Sequence, residues 1–101
     1  MLLTTAVVLH TDYEVLGIVL GNKVRAAHVG RDIMAAFKNL VGGEVKEYSD
    51  LMKRVRQEAM AEMIAEAEKL GANGIIGIQF ASAQIANGMA EIIAYGTAVK
   101  I

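Results

Sequence analysis

Asn73–Ile101 reads NGIIGIQFASAQIANGMAEIIAYGTAVKI. Two segments of it, Asn73–Ala83 and Gly88–Ile101, have the β-branched and aromatic content of strands. Between them, Asn87-Gly88 is a favourable turn pair for a β-hairpin. In the second strand Ile93, Tyr95, Thr97 and Val99 share one parity, and Ile92, Ala94, Gly96 and Ala98 share the other. Both faces are largely uncharged, and a strand apolar on both faces is normally covered on both. Helices can cover one face. The other needs a cover that a short chain struggles to provide, and a partner subunit would supply it.

Upstream of this hairpin the period changes from two to three and four. Met52, Val55, Ala59, Met63, Ala67 and Leu70 form an apolar stripe within a helix predicted over Glu47–Leu70. Ser49 is a candidate N-cap, Asp50 adds charge to the first turn, and Gly71 is a candidate C-cap. A shorter helix is predicted over Gly30–Leu40, where Ile33, Met34, Phe37 and Leu40 fall at helical spacing and Gly42-Gly43 ends the run. Before it, Tyr13–Ala26 is strongly strand-like, with Gly17 and Gly21 marking a bulge or a close backbone approach. Leu3–Leu9 reads as a first strand or strand-like arm, and His10-Thr11-Asp12 as a turn.

The chain has 101 residues, enough for a single domain over 1–101. Hydrophobic residues make up 54% of it, more than one small core easily hides, which again points to apolar surface buried between subunits. Ten basic and eleven acidic side chains nearly cancel. They form no basic stripe, so nucleic acid is not an expected partner. No cysteine is present, which excludes disulfides, thiolate metal ligands and cysteine nucleophiles and is compatible with a cytoplasmic setting. The apolar start, MLLTTAVVL, lacks the basic region of a signal peptide, and no run approaches the ~18 apolar residues of a membrane span.

Several segments occur together in a specific order: Gly30-Arg31-Asp32, Leu40-Val41-Gly42-Gly43, Tyr48, Leu70 through Ile78 (LGANGIIGI), and Tyr95-Gly96-Thr97-Ala98-Val99. In this combination the chain resembles the YbjQ-like family from about Thr4 to Ile101. The resemblance implies an α+β fold: a two-layer, dodecin-like subunit with an antiparallel sheet and two helices in the order β-β-α-α-β-β. It also implies assembly into a ring-shaped homo-oligomer, pentameric or decameric. Members carry a heavy-metal-binding label but are biochemically uncharacterised, so a metal ion is the cofactor the resemblance suggests. One departure is local. Glu44-Val45-Lys46-Glu47 follows the glycines where relatives often have a basic residue, and no anion-binding role is carried over to that loop.

The candidate residues are few. A metal needs several convergent donors, and the only imidazoles are His10 and His28, which lie in no spaced ligand motif. Each is first of all a solvent-facing loop histidine, although a symmetric ring would repeat it around an axis. Of the six methionines, Met34, Met52 and Met63 fall on helical stripes and read as core, while Met60 is open. Arg31 and Asp32 are candidates to line a ligand pocket between subunits. Their simpler role is a helix-start carboxylate and an ion pair. Tyr48 is a third ligand candidate, its ring packed on the first helix and its hydroxyl seeking a polar partner. Glu58, Glu62 and Glu66, four apart, read as a solvated helix face.

No phosphate loop is present, and the GxxGxxG of Gly71–Gly77 leaves a helix and enters a strand, the reverse of a dinucleotide fingerprint. The leading expectation is a non-enzymatic homo-oligomer that binds a metal ion or small ligand at subunit interfaces. The alternative is an enzyme whose active site assembles between subunits from Arg31, Asp32, His28 and Tyr48. A membrane-surface role is disfavoured, since no helix joins a basic face to bulky aromatics.

Overall fold

A computed structural model of the chain describes residues 1–25, 45–86 and 89–101, with the side chains of 25, 45–49, 51, 84–86 and 89–90 outside that description. It contains β1 (Leu2–Leu3), β2 (Glu14–Arg25), α1 (Val45–Lys69), β3 (Gly74–Ala86) and β4 (Met89–Lys100). The four strands form one sheet in the order β1-β3-β4-β2. β4 runs antiparallel to both β2 and β3, whereas β1 lies parallel to β3. The sheet is therefore mixed, not wholly antiparallel as expected. The reason is the path of the chain, which leaves β1 at one edge and enters the sheet again at the opposite edge, as β2.

Most predicted elements are present with shifted ends. The expected Leu3–Leu9 strand shrinks to two residues, and the rest of it is a hydrogen-bonded arm. The long helix begins at Val45, so Ser49 lies inside it and is not its cap. The predicted Gly30–Leu40 helix and the Asn87-Gly88 turn lie outside the described residues. On either side of that turn, β3 and β4 pair as far as Ala86↔Met89.

The 25 residues of α1 run about 37 Å at 1.5 Å per residue. Its stripe forms the core: Val55, Ala59, Met63 and Ala67 are buried, and Met52, Met60 and Ile64 pack against them. Met60, left open by the sequence, is thus a core residue. Leu70 is not: the helix stops at Lys69, and Leu70 is exposed. The helix ends in a Schellman motif. The Ala72 amide donates to the Ala67 carbonyl and the Gly71 amide to the Glu68 carbonyl, with Gly71 at φ 81°. Only glycine takes that left-handed conformation without steric cost.

Facing the helix are Val19, Ile75, Ile78, Ile92, Ala94 and Ala98. Small residues at 94 and 98 let the helix approach, while Gly96 makes room for the side chains of Ile75 and Ile78. The closest approach is at Gly21, where a β carbon would collide with the backbone of Ala59 and Met63. Gly17, at φ 145°, sits at the irregularity between Val15 and Gly17 in the β2–β4 register. The sequence reading of both glycines, as bulge and close approach, agrees with this geometry.

Candidate functional site

On the opposite face of the sheet Ile76 and Val99 are buried, while the β2 side is open to solvent. Register assigns its members. Ile18 pairs Thr97, Leu20 pairs Tyr95, Asn22 pairs Ile93 and Val24 pairs Glu91, while on the other side of β4 Gln79 pairs Tyr95. These positions alternate with the helix-facing ones, as the pleat requires. The consequence is an apolar edge in water: Ile18 is 78% exposed, and Leu20, Val15 and Val24 are also exposed.

Two polar pairs break up this face. The Tyr95 hydroxyl donates to Gln79 Oε1 at 3.0 Å, and the Asn22 side-chain amide donates to Glu91 Oε2 at 3.0 Å. They flank the half-buried Ile93. Sequence reasoning placed Ile93, Tyr95, Thr97 and Val99 on one face but missed the pairing of Asn22 with Glu91. Those residues are 69 apart in the chain, and only strand register brings them together.

A cleft of about 590 Å³ runs along the β2 edge and is lined by Ile18, Val19, Leu20, Asn22, Ile93 and the last turns of α1. The helix contributes Glu62, Glu66 and Lys69, and Leu70 follows directly after it. Two short ion pairs match its charges. Lys23 Nζ lies 3.1 Å from Glu62 Oε2, and Lys69 Nζ lies 3.0 Å from Glu66 Oε1. The hydrogen bond from the Lys23 ammonium holds the Glu62 carboxyl below its usual value of 4.5. The predicted solvated glutamate row is thus a row of partnered carboxylates at 62 and 66. The cleft thus joins apolar side chains of β2 and β4 to paired charges of the helix.

The residues singled out from sequence are not brought together. His10 is exposed on the arm before β2. His28, Arg31 and Asp32 lie outside the described residues. Tyr48 is in the first turns of α1, and its side chain is outside the description. Among the described residues no three His, Cys, Asp or Glu side chains converge, so these residues of one subunit do not fit a resident heavy-metal centre. No described helix is long and apolar enough to cross a membrane.

Comparison with known proteins agrees with the resemblance seen in the sequence. A family model described as "Putative heavy-metal-binding" (YbjQ_1) matches residues 1–101. A UPF0145 protein of Pseudothermotoga lettingae is 57% identical over 88 residues, covering 87% of this chain and 83% of the relative. One from Archaeoglobus fulgidus is 51% identical, covering 87% and 82%. One from Thermosipho africanus is 48% identical, covering 100% and 95%. A crystal structure of a DUF74-family protein of unknown function from Pediococcus pentosaceus superposes with a TM-score of 0.72 at 19% identity, covering 100% of this chain and 97% of that one. At that identity the likeness concerns the fold alone.

Proposed function

Because the chain belongs to the YbjQ family, whose model spans all 101 residues, we propose that it acts as a self-assembling module whose ligand sites lie between subunits. One observation carries the reading: the open β2 side of the sheet, with Ile18, Leu20 and Val15 in water. Large exposed apolar patches on a soluble subunit mark contact surfaces. The size of the surface agrees. The accessible area is 6528 Å², against about 5,500 Å² for a compact monomer of this mass.

A metal or small ligand would then be held by groups from more than one copy. Within one described subunit the donors do not converge, but rotation about a symmetry axis repeats His10 and every residue of the open face. The family's heavy-metal label is compatible with such a site, and among the described residues of one subunit no cluster of donors is present.

Native mass spectrometry of the untagged protein, with elemental analysis of the same sample, tests this reading. An oligomer carrying a stoichiometric metal or adduct is the expected result. An oligomer free of any adduct would remove the metal and leave the assembly. A stable monomer would overturn the proposal, because the open face would then be an ordinary solvent surface.

A further inference from the structure

We propose that Asn73-Gly74 is a latent deamidation site, held shut by the backbone of Ile101, whose reaction makes opening of the Lys100 end of β4 irreversible. Asparagine followed by glycine cyclises readily, because glycine has no β carbon to hinder attack by its own nitrogen. The Gly74 nitrogen passes its proton to hydroxide and forms a bond to Asn73 Cγ. The Cγ–Nδ2 bond breaks, and Nδ2 takes a proton from water and leaves as ammonia. Water then opens the cyclic imide at either carbonyl, giving aspartate or isoaspartate.

The fold favours both members of this labile pair. A β carbon on Gly74 would stand 3.2 Å from Val99 Cγ2, 3.4 Å from Ile101 Cδ1 and 3.5 Å from Leu2 Cβ. Residue 74 is buried there, paired with Leu2 of β1 and Val99 of β4. Asn73 ties the same three strands together. Its amide donates to the Val99 carbonyl at 3.1 Å, and its carbonyl accepts from the Leu2 amide at 3.0 Å. Its side chain continues the ladder past Lys100. Oδ1 accepts from the Ile101 amide at 2.7 Å, and Nδ2 donates to the Ile101 carbonyl at 3.1 Å. The carboxamide thus stands in for a backbone peptide group.

These four bonds also block the chemistry. Cyclisation turns the side chain and backbone of Asn73 until Cγ meets the Gly74 nitrogen, and every partner of residue 73 opposes that rotation. Asn73 itself is exposed, so hydrogen bonding, and not burial, withholds the reaction. The products cannot close the latch again. Aspartate keeps an acceptor for the Ile101 amide but sets a second oxygen against the Ile101 carbonyl, where no donor remains at neutral pH. Isoaspartate routes the main chain through the former side chain, and the added carbon puts β3 out of step with both neighbours.

Site-resolved peptide mapping by mass spectrometry, on the full chain held at mildly alkaline pH, tests the latch. Folded wild type should convert residue 73 at least about tenfold more slowly than the same chain in urea. Ile101→Pro removes the amide that holds Oδ1 and should raise the folded rate about fivefold, the effect of one lost hydrogen bond. Ile101→Ala keeps both bonds and should react at the wild-type rate. Met63→Ala lowers global stability with the latch intact, so while circular dichroism shows it folded it too should keep the wild-type rate. A folded wild type as fast as the chain in urea would overturn the proposal, as would a folded Ile101→Pro that is no faster. Equal acceleration in Met63→Ala would place the reaction in the globally unfolded chain and overturn the latch.

Hydrogen exchange on Asn73→Asp reads the product state without depending on Ile101→Pro. The Ile101 amide should exchange at least about tenfold faster than in wild type, with the amides at the centre of β4 unchanged. Undiminished protection at Ile101 would mean that aspartate closes the latch, and the irreversible step would fall.

Discussion

Gly21 of β2 faces Ala59 of α1 so closely that a β carbon on residue 21 would collide with the Ala59 carbonyl oxygen. The obstruction is backbone, which cannot rotate away as a side chain tip would. Helix and edge strand are therefore fixed at a separation only glycine permits. Replacing Gly21 by Ala should destabilise the subunit by about 2–3 kcal/mol through forced separation of α1 from β2. Urea denaturation measures it, and an unchanged midpoint would mean that the two elements slide without cost.

Val99 and Ile18 give a contrast between fold and assembly. Val99 is buried, whereas Ile18 is the most exposed of the large apolar residues on β2. Val99→Glu should unfold the subunit, since an unpaired buried charge costs more than a small domain can spare. Ile18→Glu should leave the far-ultraviolet circular dichroism unchanged and alter only the mass in solution. Equal loss of structure in both variants would contradict this division.

Met63 is fully buried at the centre of the helix–sheet contact. Truncation to Ala should cost about 2–5 kcal/mol, combining lost transfer energy with the cavity left behind. Thermal unfolding at constant protein concentration reads the change, and a loss below that range would show that Ile64 and Met60 collapse into the space.

The Gly71 cap isolates a conformational effect. A β carbon there would meet no atom within 4 Å, so only the φ of 81° resists substitution. Gly71→Ala should therefore cost about 1–2 kcal/mol with no loss of packing. A much larger loss of stability, measured by denaturant unfolding, would indicate a contact that the open space does not suggest.

Lys23 and Glu62 set a pH dependence with a definite sign. The carboxyl of Glu62 titrates below 4.5 in the folded state because Lys23 donates to it. A depressed folded value means that the contribution is present above the unfolded value and disappears as pH falls through the folded one. Both side chains are more than a third exposed, so solvent and salt weaken the pair. Glu62→Gln should thus lower the midpoint slightly at pH 7, and the gap from wild type should close in acid. A gap that persists or widens at acid pH would show that Lys23 is not its source.

Much of the architecture was legible because local chemistry agreed with it. The stripe from Met52 to Ala67 marked the buried helix face, and Gly71 marked its end. The parity of Ile93, Tyr95 and Thr97 marked a largely uncharged second face of β4. The exceptions have physical causes. MLLTTAVVL has strand propensity through Leu9, yet pairing stops after Leu3. There the chain becomes an arm held by Thr4 and Ala6, and side-chain preference does not report which backbone groups find partners. Ser49 looked like a cap because its residue type suits one, but α1 is propagated one turn further back.

The candidate site divides in the same way. Composition and periodicity by themselves determined a small α+β chain with more apolar surface than one core can hide. The absence of cysteine alone excluded thiolate chemistry. Only the tertiary structure decided where the surplus lies, because strand order is a long-range property. Placing β2 at the edge leaves Ile18 and Leu20 in water, brings Lys23 onto Glu62, and sets Asn22 beside Glu91. Each of these contacts joins residues distant in the chain. Their energies arise only after the loops between them have closed, so no local pattern of residues encodes them.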